Sequence, residues 1–138
     1  MKNYTLKIEH DYNFEVFAIS SHSKAYKLCW HINKYLGLSL QLRKEHKVGK
    51  DLFFKRYESK TEEGCPINLI SNHSKSGCLI KSHRTVNFFI IRSATKNEIK
   101  KDKFLLELKK INDILLVFEL DLSKEKQRER LIIYDTKN

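Results

Sequence analysis

The sequence predicts an α+β fold in which two helices pack on one face of a mostly antiparallel sheet. Segments with alternating apolar residues are separated by two segments with helical spacing, in the order strand, helix, several strands, helix, strand. Short polar turns join the middle strands, which indicates an antiparallel meander. With 138 residues, we expect a single domain over residues 1–138. The predicted arrangement is a two-layer sandwich, and a ferredoxin-like plait with extra strands has this form.

The first part of the chain alternates clearly and then changes period. Residues 4–8 alternate as a half-buried strand, and residues 14–19 form a second apolar stretch. Serines at positions 20, 21 and 23 are candidate N-caps for the helix that follows. Gly37 stands where that helix is expected to end. Its inward stripe consists of Ala25, Leu28, Cys29, Ile32 and Leu36.

The rest of the chain predicts strands at 38–42, 52–57 and 67–71, with loops at 47–50 and 72–77 and a short segment at 78–81. Residues 86–91 are too apolar for an exposed edge and predict a central strand. A second helix is expected over 97–112, with Leu105, Leu108 and either Ile111 or Asn112 facing inward. A final central strand is expected at 114–120. Beyond a charged stretch, residues 131–133 are expected to dock back onto the core.

The chain carries a formal net charge of +10, from 27 Lys and Arg against 17 Asp and Glu. Such a field favours anionic partners but does not distinguish nucleic acid, an acidic protein or a phosphorylated small molecule. A generally lysine-rich composition is the alternative explanation. No apolar run approaches about 18 residues and no signal-peptide pattern is present, so we expect a cytoplasmic protein that does not bind membranes. The three cysteines are expected to be buried or partly buried free thiols.

The motifs of common catalytic and cofactor sites are missing from the sequence. There is no nucleophile elbow, phosphate loop, dinucleotide fingerprint or paired-histidine zinc motif, so we predict no catalytic residues and no cofactor. The spacing of His73, Cys78 and His83 matches no compact metal knuckle. Cys29 and His31 are two positions apart on a helix and therefore point in different directions. We predict no metal site.

A long segment without acidic residues is the most informative feature of the charge pattern. Residues 64–97 contain no Asp or Glu and five cationic side chains: Lys75, Lys81, Arg84, Arg92 and Lys96. The charged segments at 96–110 and 124–130 mix both signs, as solvated faces do. We therefore expect these five side chains to form one exposed basic face that binds an acidic macromolecule.

Two alternatives stay open. Binders of single-stranded nucleic acid add aromatic side chains to a basic groove so that bases can stack. Tyr57, Phe88 and Phe89 are near enough in sequence for that role, although aromatic residues in strands are usually part of the core. The other alternative is a small-molecule-binding or enzymatic domain. An enzyme would need a concave pocket with convergent titratable groups, and His22, His31 and His83 are the candidates to line it.

The chain also resembles a known family in the order and spacing of its residues over almost its whole length. The similar segments are Asp11–Glu15, Ile19–Ser21, residues 26–28 with Trp30 and Asn33, and Leu69–Asn72 before a glycine. They resemble the IPExxxVDY proteins, which are small uncharacterised proteins of Bacteroidetes-type bacteria. The namesake motif falls on residues 80–88, where Ile80 and Val86 match and Phe88 replaces tyrosine. Trp30 is expected to pack under a loop or against the edge of the sheet.

The signature carboxylates of the family are both replaced. Lys81 and Ser82 stand where the family has Pro and Glu, and Asn87 stands where it has Asp. If the carboxylates serve acid–base chemistry or bind a metal in that family, this chain lacks the same activity. If they cap a turn, Ser82 and Asn87 can still accept the hydrogen bonds. The resemblance implies a fold and a compartment, and it implies no established activity.

Overall fold

A computed structural model describes residues 13–60, 66–93 and 99–133. The predicted first strand at 4–8 lies outside the described residues. The described elements are β1 Phe14–Ser20, α1 Ala25–Leu36, β2 Gln41–Val48, β3 Leu52–Lys60, β4 Pro66–Ser71, β5 His73–Ser74, β6 Gly77–Cys78, β7 Phe88–Ser93, α2 Lys101–Lys109 and β8 Leu116–Glu119. The predicted α+β class is confirmed.

Six of the described strands form one antiparallel sheet in the order β2-β3-β4-β7-β1-β8, and β5 pairs with β6 separately. Strands β1 and β4 both run antiparallel to β7, which lies between them. The chain from β1 through α1 to β4 is therefore a split β-α-β unit, with the β2–β3 hairpin inserted before β4. Strands β7 and β8 form a second such unit around β1. These two interleaved units are the ferredoxin-like pattern with extra strands.

Both faces of the sheet are buried by different parts of the chain. On one face, Phe17, Leu69 and Ile90 pack against α1 and α2, as predicted. On the other face, the alternate residues Ala18 and Phe89 pack against segments that belong neither to the two α-helices nor to the six-stranded sheet. This double burial explains why β1 and β7 read as continuous apolar runs.

The segments that cover the second face are the connection after β4 and the C-terminal tail. Leu79, Ile80 and Val86 belong to the connection, and Leu131 to the tail; all four are buried in the same cluster. The predicted docking of residues 131–133 is confirmed, since Ile132 is buried and Ile133 packs against the cluster. The face without α-helices is thus covered by two segments whose apolar residues show neither helical spacing nor alternation.

Several predicted boundaries differ from the structure. Strand β2 begins at Gln41 rather than at 38 and extends to Val48. The prediction missed most of it because its side chains are mainly exposed on both faces and so do not alternate between apolar and polar. Among the described strands, β8 is at an edge and not central. Helix α1 has no side-chain cap, while Gly37 ends it in the left-handed conformation at φ 66° as predicted. In α2 the inward residues are Phe104 and Leu108, with Ile111 buried just after it.

One predicted member of the basic face, Arg92, is in fact buried. Its side chain, on β7, is 2% exposed, and its Nε donates to Glu15 Oε1 at 2.8 Å. Its Nη1 donates to the Ile99 carbonyl at 2.6 Å, and its guanidinium lies 4.3 Å from the centroid of the Phe104 ring. The prediction that Arg92 faces solvent is wrong, because Glu15 directly opposite it on β1 makes its burial possible.

We expect Arg92→Met to lower the free energy of unfolding by about 3 to 5 kcal/mol, since it leaves the carboxylate of Glu15 without its buried partner. Urea denaturation measures this loss. The double variant Glu15→Met with Arg92→Met removes both charges and is expected to recover much of it. A single variant as stable as the wild type would contradict the role given to this ion pair.

Candidate functional site

The connection between β4 and β7, residues 72–87, carries the motif positions and most of the predicted cations. We call it the β4–β7 loop. It begins with the small β5–β6 hairpin and continues into a 3-10 turn at Lys81–His83. Both of its ends are fixed at the same end of the sheet, where Asn72 N–H donates to Asn87 O at 2.9 Å and Asn87 N–H donates to Ile19 O at 2.8 Å.

The side chain of Asn72 is fully buried inside this loop and holds it together. Its amide nitrogen donates to the carbonyls of His83 at 2.9 Å and Val86 at 2.8 Å. Its amide oxygen accepts from the Ile80 N–H at 2.9 Å. One buried side chain thus pairs with three backbone groups that are spread over seven residues. Such groups would otherwise be buried without partners at a substantial cost.

The positions that resemble the family motif have structural roles in this loop. Ile80, Val86 and Phe88 are buried in the core. Asn87 Oδ1 accepts from the Ser21 N–H at 2.8 Å, as expected for a residue that caps a turn. The Ser82 hydroxyl donates a hydrogen bond to Glu125 Oε1 at 2.8 Å and so joins the loop to the C-terminal tail.

The two motif-related residues on α1 also differ in their surroundings. Asn33 lies at the end of the helix, where its side chain bonds both the N–H and the carbonyl of Leu40 and so fixes the connection to β2. Trp30 is 58% exposed on the outer face of the helix. The prediction that Trp30 packs under a loop or against the sheet edge is wrong.

Side chains of the C-terminal tail form hydrogen bonds with the backbone of the β4–β7 loop. The Gln127 side chain accepts from the Lys81 N–H at 2.7 Å. Arg130 Nη1 donates to the carbonyls of Cys78 at 3.3 Å and Leu79 at 3.1 Å. The backbone of the loop is therefore fixed on both sides, by Asn72 within the loop and by the tail.

Three predicted cations project from this fixed backbone into solvent. Lys75, Lys81 and Arg84 are exposed, and none of them forms an ion pair with a carboxylate of the described residues. They border an open cleft of about 530 Å³, lined by residues 73–78 with Lys81 and Arg84, which we call the loop cleft. Lys96 lies outside the described residues. The structure thus brings three of the five predicted side chains together.

The other side of the β5–β6 hairpin has a different charge. A second cleft of about 450 Å³ there is lined by residues 73–76 together with Glu45, Asp51 and Lys55. Lys75 borders both clefts, whereas Lys81 and Arg84 border the loop cleft and not the second one, so two of the three exposed cations lie on the loop-cleft side.

In the loop cleft, the thiol of Cys78 contacts the ring of His73, and these are the two kinds of group that form a nucleophile–base pair. The Cys78 sulfur lies 3.5 Å from His73 Nδ1, and Cys78 is half-buried. A nucleophile–base pair also needs a third group that orients the base. No residue that the structure describes bonds to the other ring nitrogen of His73.

The other described histidines and cysteines considered for catalysis or metal binding do not line the loop cleft. His83 lies 3.9 Å from Glu125 and against the ring of Phe118, while His31 lies 3.4 Å from Asp113. Cys29 is a free, buried thiol, and burial raises its pKa to about 12. Cys65 lies outside the described residues. Within residues 13–60, 66–93 and 99–133, no group of three or more His, Cys, Asp or Glu is placed to hold a metal ion.

No protein-family model matches the chain, and no curated protein matches it. None of the helices in the described residues has the length and apolar character needed to cross a membrane.

His46 anchors the tail and gives it a pH dependence. Its ring Nε2 lies 2.6 Å from the Arg130 carbonyl, so we assign it as the donor of this hydrogen bond. Burial lowers the pKa of His46, and the nearby Arg56 adds to the effect, while the bond to Arg130 opposes it. The folded protein therefore favours the neutral ring.

We expect this group to stabilise the fold fully above a pH of about 6.5, the ordinary pKa of histidine. As the pH falls from there through the lowered pKa of the folded state, the unfolded chain binds a proton that the folded chain does not, and stability is lost. Thermal unfolding of His46→Gln against pH should show a shallower decline over this window. His22→Gln, at an exposed histidine, is the control, and equal slopes for His46→Gln and the wild type would contradict the assignment.

Proposed function

We propose that the protein is a non-enzymatic binding or adaptor module that docks an acidic protein segment on its basic β4–β7 loop. One observation carries the proposal: Lys75, Lys81 and Arg84 border one open cleft and have no ion-pair partner among the described residues. Cations on a fixed backbone that are not neutralised internally are available to a partner's carboxylates. They speed its encounter and fix its register more than they add affinity.

The lining of the loop cleft favours an acidic protein over nucleic acid at this place. It includes serines and a histidine beside the cations, but no Trp, Tyr or Phe on which a base would stack. Tyr57, Phe88 and Phe89, considered for stacking from the sequence, are all buried. Carboxylates of a peptide need only the charges and hydrogen-bond donors that the cleft presents.

The proposal of a binding module rests on the same lining. Acid–base chemistry would need a positioned donor and acceptor, and the loop cleft offers the Cys78–His73 contact without a group that orients it. The proposal places the protein in the cytoplasm, in keeping with its free thiols at Cys29 and Cys78. The similarity of the motif to the IPExxxVDY proteins remains a proposal about ancestry and adds no activity.

We expect Lys81→Glu with Arg84→Glu to weaken binding of poly-L-glutamate roughly tenfold or more, because two attractive contacts become repulsive. Fluorescence anisotropy of the labelled polymer measures the affinity, at about 50 mM and about 200 mM salt. The wild-type affinity should fall between these conditions.

The matched control is Lys100→Glu with Lys103→Glu. It makes the same change in net charge at exposed lysines at the start of α2, where acidic residues are tolerated well. Equal effects of the two double variants would show that only the overall charge attracts the polymer, and the proposed surface would then be wrong.

A further inference from the structure

The outer face of α1 combines exposed aromatic and cationic side chains. Tyr26 is 66% exposed and Trp30 is 58% exposed. Tyr26, Trp30 and Lys34 are spaced by four residues, so they form one row along the helix. Lys27 stands beside this row. We call these four residues the α1 face.

This face is opposite to the side of the helix that is used for folding. The buried residues of α1 are Leu28, Cys29, Ile32 and Leu36. Exposing two large rings to water adds nothing to the stability of the core. Their position therefore needs an explanation other than packing among the described residues.

The charge around α1 indicates an anionic occupant. No Asp or Glu occurs from residue 16 to residue 44, a segment with five positive charges. Three of them, Lys24, Lys27 and Lys34, are on α1 or next to it, while Arg43, which pairs with Glu58 at 3.6 Å, and Lys44 are on β2. The described carboxylate that approaches α1 is Asp113, which lies 4.0 Å from Lys27 Nζ and 3.4 Å from His31 Nε2. Lys24 and Lys34 form no ion pair with the described residues.

The surroundings of the Trp30 ring fit a ligand that is both planar and anionic. Lys34 Nζ lies 5.0 Å from the centroid of the Trp30 ring, and the ring of His31 meets Trp30 edge-on at 5.0 Å. A flat group that stacks on the indole therefore has an ammonium within reach of its attached charge. Nucleotides have this combination of a π-face and a phosphate, and stacking on aromatic rings between basic residues is how single strands are bound without sequence preference.

We propose that the α1 face binds single-stranded nucleic acid, with bases stacked on Trp30 and Tyr26 and a phosphate paired with Lys34. This surface lies on the helix-bearing side of the sheet, whereas the β4–β7 loop covers the other side. The inference therefore stands independently of the function proposed for the loop.

Trp30 is the single tryptophan of the chain, so its fluorescence reports on this face alone. We expect an oligothymidylate of about 12 nucleotides to quench the emission as bases stack on the indole. An abasic oligonucleotide of the same length keeps the phosphates and lacks the bases, and we expect it to leave the emission nearly unchanged. Quenching by both, or by neither, would overturn the proposal.

The matched variants are Tyr26→Ala and Tyr35→Ala. Tyr35 is also exposed on α1, at 45%, but it follows Trp30 by five positions and so points about 140° away. We expect Tyr26→Ala to weaken the oligonucleotide roughly 5- to 100-fold and Tyr35→Ala to change it little. Equal effects of the two variants would contradict the assigned face.

Lys34→Gln extends the test without removing a ring. It should lower the affinity and also reduce the slope of log affinity against log salt by roughly 0.7, the value for one phosphate on a single strand. Anionic phospholipid vesicles test the competing occupant. A blue shift of Trp30 emission with vesicles and no response to the oligonucleotide would assign the face to a lipid surface and overturn the proposal.

Discussion

The buried amide of Asn72 is the interaction on which the proposed loop surface depends. A primary amide has two donors and an acceptor with two lone pairs, and here it joins the backbone of His83 and Val86 to that of Ile80. The side chain is fully buried, so water does not compete for these bonds. A segment with little regular secondary structure thus acquires one shape, and its apolar residues are directed into the core while its cations remain outside.

The tail extends this arrangement across the second face of the sheet. His46 on β2 bonds to Arg130, and Arg130 in turn bonds to the loop backbone at Cys78. Glu125 accepts from the hydroxyl of Ser82 and the backbone of Gln127. The basic loop is therefore built from residues more than forty positions apart in the chain. Because α1 is on the other face, a partner of the loop and a partner of α1 would be separated by the sheet.

The sequence predicted those elements in which the apolar residues have a regular pattern. Helix α1 and strands β1, β4 and β7 were predicted because their apolar residues repeat or run continuously, and burial produced that pattern. The same reasoning missed most of β2, whose side chains are mainly exposed on both faces. It also misjudged Arg92, because the partner that makes its burial possible, Glu15, is 77 residues away.

The sequence predicted only part of the candidate surfaces, because it shows where charges occur and not which side chains are exposed. Counting charges identified the segment that holds Lys75, Lys81 and Arg84, but a count does not distinguish an exposed cation from a buried one. The same count applied to residues 16–44 would have singled out α1, and the exposure of Trp30 requires the structure. The role of Asn72 had a weaker signal, an amide side chain directly after the apolar strand β4.

Amide hydrogen exchange in Asn72→Ala tests whether the Asn72 side chain fixes the β4–β7 loop, with Asn68→Ala as the control at a second buried asparagine, which lies on β4. We expect the Ile80 N–H to exchange roughly tenfold faster or more in Asn72→Ala, because its acceptor is lost. The Ile90 amide in β7 should keep more of its protection, and Asn68→Ala should leave Ile80 slow. An Ile80 amide that stays as slow as in the wild type, or that both variants accelerate equally, would contradict the account.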